Sequence, residues 1–367
     1  MVTLCLPLLI LYLSASSLAQ NLTQVLSSTP ELSTLYSLLR RYPSILNNLP
    51  NLGGTVLAPS NEALTAAFNS QREGDIPLNI TSPDVLEAFV SYHLLRGTYN
   101  RVNLTIAGGR VADTNLVDET YANLDGNPNV IFGSAFGSTG QDAVAGGLKL
   151  YSGIGEAANV IGEELNFDGG VMHIIDHVLN FPRNCTQTTA AASLTTLVEA
   201  FRTAELWQTV DTTPKFTCFA PSNDAFAAAG IRLESLPTDE VANILKYHSI
   251  VGEVGYTTNL DDEKEYETML GQTVRVTKRD GRVFVNEVEV QRGNIITSNG
   301  VAHILSGVLI PPGTTTTGGD TTAGTTTTGG SQSTTTGSNE GSPNSARPSI
   351  IHLLGMSAFL STIFLVV

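Results

Sequence analysis

Apolar residues at helical spacing occur in two stretches of the chain. A spacing of i, i+3 and i+7 puts three side chains on one helix face, so each stretch predicts a helix that packs on a core. Pro30 begins the first helix after Thr29, and Pro43 ends it. The apolar residues are Leu32, Leu35 and Leu39 in the first stretch and Leu194, Leu197 and Phe201 in the second.

Short apolar runs predict strands. Gly54–Ala58 is typical of a short buried strand, and Val171–Leu179 and Val301–Ile310 are apolar on both faces, as central strands are. Asp280-Gly281 lies between two β-branched runs and predicts a hairpin with a type I′ turn. Helices come first and strands follow, closing on an early strand. This order predicts an α+β fold, a small β-sandwich or wedge with packed helices.

Three blocks recur in the same order, which indicates two copies of one domain. The spacing between the blocks is longer in the first copy, so extra residues lie near 71–78 and in the Gly-rich stretch 133–147. The matched blocks are Thr55–Leu64 with Thr217–Phe226, Tyr92-His93 with Tyr247-His248, and Gly170–Asp176 with Gly300–Ser306.

Each first block is followed by a predicted helix. Ser60 or Asn61 in the first copy, and Ser222 or Asn223 in the second, are the candidate N-caps, because their side-chain oxygens accept hydrogen bonds from free backbone N–H groups. Pro83 begins a further helix that carries the first Tyr-His pair.

The two ends of the chain are predicted to lie outside the fold. Residues 1–19 are uncharged and run from apolar to small residues, which is typical of a signal peptide cleaved after Ala19; a buried N-terminal helix is the alternative. Residues 350–367 are apolar and follow small residues and a short polar spacer, which indicates a GPI-attachment signal. Asn344 is the predicted attachment site, with Gly341 and Ser338 as alternatives, and a transmembrane helix is the other interpretation of the tail.

Residues 313–349 are rich in Thr, Ser and Gly and hold no aromatic residue. They bury too little apolar surface to offset the entropy of ordering, so they predict an unfolded, O-glycosylated stalk. The predicted organisation is a signal peptide at 1–19, a first domain at 20–182, a second domain at 183–312, the stalk at 313–349 and the apolar tail at 350–367.

Composition and net charge argue against several classes of function and site. Only 14% of residues are charged, and 34 acidic against 19 basic residues give a net charge of −15. That charge argues against nucleic acid as a partner and against docking on anionic lipid by charge. Three cysteines are too few for a disulfide-dense miniprotein or a four-cysteine zinc site.

Candidate chemistry in the sequence is sparse. His173 and His177 have the spacing of a helical zinc pair, but their β-branched context predicts a strand, on which they lie too far apart, so we expect no metal. The acidic run 261–265 lacks the spacing of a calcium loop and indicates a solvated loop. No nucleophile elbow, P-loop or dinucleotide fingerprint occurs, so we expect neither catalysis nor a cofactor.

The blocks resemble the fasciclin domain, whose signature is Thr-x-x-Ala-Pro-Ser-Asn-(Asp/Glu)-Ala, a downstream Tyr-His and a closing Gly-Val-x-His. Both copies carry all three blocks, over about residues 22–312. Together with both ends, the chain is similar to fungal GPI-anchored proteins with two fasciclin domains. The resemblance implies extracellular adhesion, by binding cells, matrix or wall polymers without catalysis.

The resemblance also suggests where binding occurs. In the family a cell-binding surface lies near the Tyr-His block, which makes Tyr92, His93, Tyr247 and His248 candidates, and an Ile-Asp pair of the closing strand contacts integrin, which makes Asp176 another. The alternative is a structural role, in which each Tyr-His pair holds its helix on the sheet. The second copy has Ser306 in place of Asp176, so Asp176→Ala is expected to keep the melting temperature within a few degrees and to weaken attachment.

Cysteines and sequons complete the candidate sites. Cys185 and Cys218 are the two cysteines left after signal-peptide removal, and an oxidising compartment predicts a disulfide between them. The alternative is a buried free Cys218, since Val56 takes that place in the first copy. Predicted N-glycosylation sites are Asn21, Asn79, Asn103 and Asn184.

The expected protein is therefore secreted, glycosylated and anchored by a GPI lipid on the outer membrane face or in the cell wall. The expected partner is a cell-surface, matrix or wall protein or glycan. Two functions remain open at this point: adhesion or wall organisation through the two domains, and a polysaccharide-binding wall module with no role in cell contact.

Overall fold

The computed structural model describes residues 20–52, 54–70, 82–135 and 147–313. The predicted signal peptide, the stalk beyond Gly313 and the apolar tail lie outside these residues, as do Asn79 and Asn344. Among the described residues no helix is long and apolar enough to span a bilayer.

The first domain begins with helices. Pro30–Leu32 forms a 3₁₀ turn, and Pro43 begins a helix instead of only ending one, because its missing N–H costs nothing at a first position. The helices are α1 (Leu22–Ser28), α2 (Ser33–Leu39), α3 (Pro43–Leu52), α4 (Asn61–Asn69), α5 (Pro83–Tyr92) and α6 (Arg101–Leu104).

Seven strands form the sheet of the first domain, in the order β2-β1-β7-β6-β5-β4-β3. They are β1 (Gly54–Pro59), β2 (Leu94–Leu95), β3 (Arg110–Asp113), β4 (Val130–Ala135), β5 (Leu148–Tyr151), β6 (Ala157–Phe167) and β7 (Gly170–Ile175). The last strand, β7, lies between β1 and β6 and is parallel to β1.

The second domain repeats this plan, with a short 3₁₀ turn at Leu233–Ser235. Its helices are α7 (Cys185–Ala191), α8 (Thr195–Thr203), α9 (Trp207–Thr212), α10 (Asn223–Ala228) and α11 (Thr238–Tyr247). Its strands are β8 (Phe216–Pro221), β9 (Ser249–Val251), β10 (Lys264–Glu267), β11 (Thr273–Arg279), β12 (Arg282–Val285), β13 (Val288–Thr297) and β14 (Gly300–Leu305). The sheet order is β10-β11-β12-β13-β14-β8-β9, so β14 takes the place of β7.

The predicted fold class is confirmed. Each domain is a sheet wedge with packed helices, and the hairpin of β11 and β12 turns at Asp280 and Gly281, whose φ angles of 52° and 72° fit a type I′ turn. The central strands are shorter than the apolar runs predicted: β7 ends at Ile175 and β14 at Leu305.

Serine, and not asparagine, caps the helix after each first block. Ser60 Oγ accepts the Ala63 N–H at 3.1 Å, and Ser222 Oγ accepts the Ala225 N–H at 3.1 Å. The neighbouring asparagine works across elements. Asn61 Oδ1 accepts the Thr34 N–H at 2.8 Å and its Nδ2 donates to the Pro30 carbonyl at 2.9 Å, which ties α2 to α4.

The two domains share an apolar interface. Val130 and Phe132 of β4 pack in one buried cluster with Tyr256, Ile296 and Val301 of the second domain. Burying side chains of this size contributes roughly 1.5–3 kcal/mol each. The pair is therefore packed together and not simply tethered.

Polar contacts fix the register of that interface. The side-chain amide of Asn129 donates to the Thr297 carbonyl at 3.1 Å, and the guanidinium of Arg292 donates to the Gly155 carbonyl. An ion pair joins Lys215 Nζ and an Asp125 carboxylate oxygen at 3.0 Å. Since these bonds need one relative position, the second domain presents its surface at a fixed angle to the first.

A substitution at Gly300 tests the parallel pairing of β8 and β14. A Cβ at Gly300 would lie 1.8 Å from the Phe216 carbonyl oxygen, and both groups are backbone, so neither can move aside. We expect Gly300→Ala to lower the free energy of unfolding of the second domain by at least about 3 kcal/mol. Urea unfolding followed by circular dichroism measures it.

Gly281→Ala is the matched control. Gly281 also has a positive φ, but nothing lies within 4 Å of its added Cβ, so only backbone strain of about 1–2 kcal/mol is expected. Equal losses in the two variants would contradict the close approach of β14 to β8.

Candidate functional site

The Tyr-His pair of the first domain lies inside the core. Tyr92 ends α5 and His93 follows it, and they are 0% and 4% exposed. Nε2 of His93 accepts the Leu179 N–H at 3.1 Å, so the ring proton is on Nδ1, which donates to the Phe89 carbonyl at 2.8 Å. The ring therefore joins the end of α5 to the loop after β7.

The second domain repeats this arrangement. Nε2 of His248 accepts the Leu309 N–H at 2.9 Å, and its Nδ1 donates to the Ile244 carbonyl at 2.8 Å. Burial lowers the pKa of both His93 and His248 to about 4, and the bond to the helix carbonyl offsets only part of that effect. Both rings are neutral near pH 7.

The tyrosines are also internal. Tyr92 Oη donates to the Val130 carbonyl at 3.2 Å, and Tyr247 Oη donates to the Thr273 carbonyl at 3.0 Å. Burial is the main cause that raises the pKa of Tyr92. The structure thus corrects the predicted binding role of Tyr92, His93, Tyr247 and His248: side chains without an exposed face hold the helix on the sheet.

A second internal network was not anticipated from the sequence. Thr55 Oγ1 donates to the Gly97 carbonyl at 2.9 Å and accepts the Tyr99 N–H at 2.7 Å. His173, fully buried on β7, donates from Nε2 to the Tyr99 carbonyl at 2.9 Å. Together they fasten the loop after β2 to the first and last strands.

The same network recurs in the second domain with other loop residues. Thr217 Oγ1 donates to the Glu253 carbonyl at 2.7 Å and accepts the Gly255 N–H at 2.8 Å, while His303 Nε2 donates to the Gly255 carbonyl at 2.8 Å. The invariant partner is a backbone group, which explains why the loop sequence differs between copies while Thr and His do not. The repeat itself was the signal for this network.

His173 and His177 lie in different environments. The side chain of His173 is fully buried, whereas that of His177, just beyond β7, is 64% exposed and contacts Asp176 at 2.8 Å. Within the described residues no cluster of three His, Cys, Asp or Glu side chains has the geometry to hold a metal ion.

Asp176 is a structural acid in this fold. Its two oxygens accept the backbone and side-chain N–H groups of Asn159, each at 2.6 Å. Burial acts to raise its pKa, but the bonds from Asn159 and His177 outweigh burial and hold the pKa below its usual value. Loss of the Asp176 carboxylate removes two hydrogen bonds between β6 and the end of β7, so a small fall in stability is expected, and the effect of Asp176→Ala on attachment stays a prediction.

The second copy has no acid at the corresponding position, and the neighbouring strand shows why. Ser306 donates its backbone N–H to the Glu289 carbonyl, as Asp176 donates to the Asn159 carbonyl. An acid at 306 would face the carboxylate of Glu289 instead of an amide donor. Ser306 therefore gives no measure of what Asp176 contributes in the first domain.

Cys185 and Cys218 are free thiols in the structure, and the predicted disulfide is absent. They are 1% and 2% exposed, in the core of the second domain. The neighbouring Cys218 thiol, followed by burial, raises the pKa of Cys185 well above its usual value. The Cys218 side chain occupies the same apolar core position in the second copy that Val56 occupies in the first.

Three predicted sequons lie within the described residues. Asn103 is exposed on α6. Asn21 and Asn184 cap α1 and α7 through Oδ1, at 2.8 and 2.9 Å from their N–H donors. In each cap the bond uses only the side-chain oxygen, so modification at Nδ2 remains a prediction at all three sites.

A pH titration of stability tests the buried histidines. Unfolded histidine titrates near pH 6.5, and His93 and His248 titrate near 4 in the fold. The unfolded chain therefore binds more protons in this window. The stability due to each neutral ring is complete above about pH 6.5 and is lost, by roughly 3 kcal/mol, as pH falls to about 4.

His93→Gln keeps a donor and an acceptor but cannot take up a proton. We expect this variant to be less stable than the wild type at neutral pH and to lose less stability on acidification. Urea unfolding near pH 7 and near pH 4 measures both effects. His177→Gln, at an exposed position, should keep the wild-type slope. A wild-type slope in His93→Gln would show that the ring is not buried and neutral.

Thiol alkylation tests the cysteine pair. With both thiols buried and unbonded, the secreted chain should resist alkylation when folded and take up two labels per chain in denaturant without reductant, as mass spectrometry would show. No label before reduction and two labels after it would restore the disulfide. A Cys185→Ser variant then labels only at Cys218 and checks the assignment.

Known proteins resemble this chain over most of its length. The model of the fasciclin domain family matches residues 30–182 and 192–311. A fasciclin-like arabinogalactan protein of Arthroderma benhamiae is 28% identical over 300 residues, which cover 81% of this chain and 68% of that protein. One of Phaeosphaeria nodorum is 30% identical over 303 residues, covering 82% and 91%.

Two further matches come from animals. Human periostin is 32% identical over 149 residues, which cover 39% of this chain and 18% of periostin. The solved structure of a FAS1 domain pair from the insect cell adhesion molecule Fasciclin I covers 77% of this chain and 97% of its own, at 19% identity and a TM-score of 0.36.

The two copies of the signature blocks, the two matching sheet topologies and the two matched segments agree with one another. The chain belongs to the fasciclin family, as a tandem pair of fasciclin domains.

Proposed function

We propose that the protein is a glycoprotein of the cell surface or cell wall that holds cells or wall polymers together through its two domains, without catalysis. The fungal relatives support this proposal, because they carry the name fasciclin-like arabinogalactan protein and match the chain across both domains. The predicted signal peptide, sequons, stalk and GPI signal agree with that location.

The observation that carries the proposal is where the family's polar residues lie. The repeated Thr, Tyr and His side chains bond to backbone groups inside each domain, and each of the four repeated histidines is at most 4% exposed. His93 borders only a small apolar cavity within the first domain. Acid–base catalysis needs such groups within reach of a substrate. Their burial leaves the outer surface of a fixed domain pair as the part that meets other molecules.

A deletion strain tests adhesion with the whole protein. Cells of the producing organism that lack the protein should attach to surfaces and to one another less than the wild type, and re-expression of the full chain should restore attachment. Phospholipase C specific for phosphatidylinositol should release the protein and reduce attachment together, because the proposal places the domains on a lipid anchor.

Deletion cells that attach like the wild type would overturn the adhesion role. Retention of the protein after phospholipase treatment, with peptides beyond Ile350 still present, would indicate a transmembrane tail. Asp176→Ala is unsuitable for mapping the binding surface, because the loss of two strand contacts is expected to lower stability by about 1–3 kcal/mol.

The second candidate function is a polysaccharide-binding wall module. One observation favours it specifically: an exposed tryptophan beside an unpaired arginine on the second domain.

A further inference from the structure

Trp207 is the single tryptophan of the chain and is 52% exposed. It is the first residue of α9. Among the described residues, the partly buried apolar side chains that pack on the second-domain core include its neighbour Leu206 but not Trp207. The indole therefore adds little to the stability of the domain while presenting a large apolar face to solvent.

The indole borders a groove between three helices. The volume of the groove is about 480 Å³, within the range of about 300–1,000 Å³ that small-ligand sites occupy. Its lining combines one aromatic ring, two small apolar side chains and three hydrogen-bonding side chains: Trp207, Ala190, Val198, Thr186, Gln187 and Arg202. An aromatic ring next to polar side chains suits a ligand with one apolar face and polar edges.

The cationic side chain of the groove is available to a ligand. Arg202 is exposed, and within the described part of the chain its guanidinium has no ion pair or hydrogen bond. A guanidinium has five N–H donors in a planar fork, which match two adjacent oxygens of a ligand. In a chain of net charge −15, this unpaired cation marks a place for oxygen-rich groups.

Hydrogen bonds between α7 and α9 fix the shape of the groove. Asp211 of α9 accepts the Thr186 N–H at 2.8 Å and the Thr186 hydroxyl at 2.5 Å, so it joins the start of α7 to α9. Burial raises the pKa of Asp211, and these two bonds only partly oppose that effect. Because the two helices are clamped, a ligand meets a surface that needs little ordering on binding.

The corresponding helices of the first domain carry other side chains at the two positions that characterise this groove. The repeat aligns Trp207 with Ile45, which is half-buried and packs against the first-domain core. It also aligns Arg202 with Arg40, which lies over the Tyr36 ring with its Cζ 5.8 Å from the ring centre. In the first domain the guanidinium thus lies over the Tyr36 ring, whereas among the described residues no ring or ion-pair contact of Arg202 or Trp207 occurs.

Other occupants fit the groove less well. Nucleic acid and anionic lipid need several cations, and the lining supplies only Arg202. A peptide strand needs an exposed sheet edge, whereas this surface is helical. A hexopyranose ring has a flat face of C–H groups and a rim of hydroxyls, which complements an indole beside a guanidinium and an amide.

We propose that the Trp207 groove binds a pyranose ring of a polysaccharide. The indole stacks on the C–H face of the ring, while Arg202 and Gln187 donate hydrogen bonds to its hydroxyl or carboxylate oxygens. This inference deepens the proposed function, on which it rests, because it names the ligand class and the place where the ligand binds.

Tryptophan fluorescence reads this site alone, because the chain has one tryptophan. The purified secreted protein is titrated with hexasaccharides of β-1,3-glucose, β-1,4-glucose, β-1,4-N-acetylglucosamine and α-1,4-galacturonic acid, and with a soluble oligosaccharide fraction of the producing organism's wall. We expect a saturable blue shift with at least one probe, at a Kd of about 10 μM to 1 mM. Tighter binding of the uronate, lost at high salt, would assign Arg202 to a carboxylate, and equal binding of a neutral sugar would assign it to hydroxyls.

Trp207→Ile installs the residue that the first domain has at this position. Calorimetric titration should show at least tenfold weaker binding with an unchanged melting temperature, and Arg202→Met should weaken binding by a similar factor. Val251→Ala, which removes an apolar residue that is 45% exposed elsewhere in the same domain, is the control and should bind like the wild type.

Three results overturn the proposal. They are no saturable shift with any probe, unchanged binding in Trp207→Ile, and an emission spectrum that depends on protein concentration without sugar, which would place a second copy of the chain on the indole. The proposed function fails separately, when deletion cells attach normally. Deletion cells that attach poorly but recover fully with the Trp207→Ile chain would retain the function and show that attachment does not need the groove.

Discussion

The parallel pairing of the first and last strands of each domain is the contact on which the rest of the fold depends. β7 lies between β1 and β6, and β14 lies between β8 and β13, so neither sheet is continuous until its last strand is in place. The approach is close enough that a Cβ at Gly170 would lie 2.0 Å from the Gly54 carbonyl oxygen. Only glycine permits this at the start of the strand.

The buried histidines extend this contact to the helices and loops. His173 and His303 leave the closing strand to hold the loop after the second strand, and His93 and His248 accept from the segment that follows the closing strand. Every such bond involves residues that the closing strand brings into position. The hydrogen bonds of the four rings therefore form only when the closing strand is in place. Burial keeps the rings neutral, so their protonation in acid destabilises the fold.

Local chemistry made much of the fold predictable from the sequence. Helix caps at Ser60 and Ser222, the Asp280-Gly281 turn and the repeat itself depend on residues close together or on a repeated pattern, and the structure has all of them. The sites were less predictable. The repeated Tyr-His pairs were predicted to lie near a binding surface, but they lie in the core. The prediction failed because a repeated pattern does not distinguish a side chain that binds a ligand from one that binds the backbone.

The features that sequence reasoning missed depend on distant residues without periodic signal. Asn159 is paired with Asp176 and Asn129 with Thr297, and no spacing rule connects these positions. A comparison of the two copies could have found Trp207, since an aromatic residue replaces Ile45 where the helix pattern is otherwise kept. The polar residues that the two copies share lie in the core, whereas the aromatic residue that distinguishes the second copy at this position is exposed.

That division has a consequence for how such a protein binds. The hydrogen-bonded Thr, Tyr and His network recurs in the interior of both domains, whereas the Trp207 groove lies on the exterior of one domain and accommodates only a short stretch of a polymer. Contacts of that size are weak by themselves. Many chains displayed on one surface, facing a polymer of identical rings, raise the effective concentration of each further contact and bind tightly together without a tighter site. A fixed domain pair suits this arrangement, because the bonds of Asn129 and Arg292 across the interface hold the groove at a constant angle to the first domain.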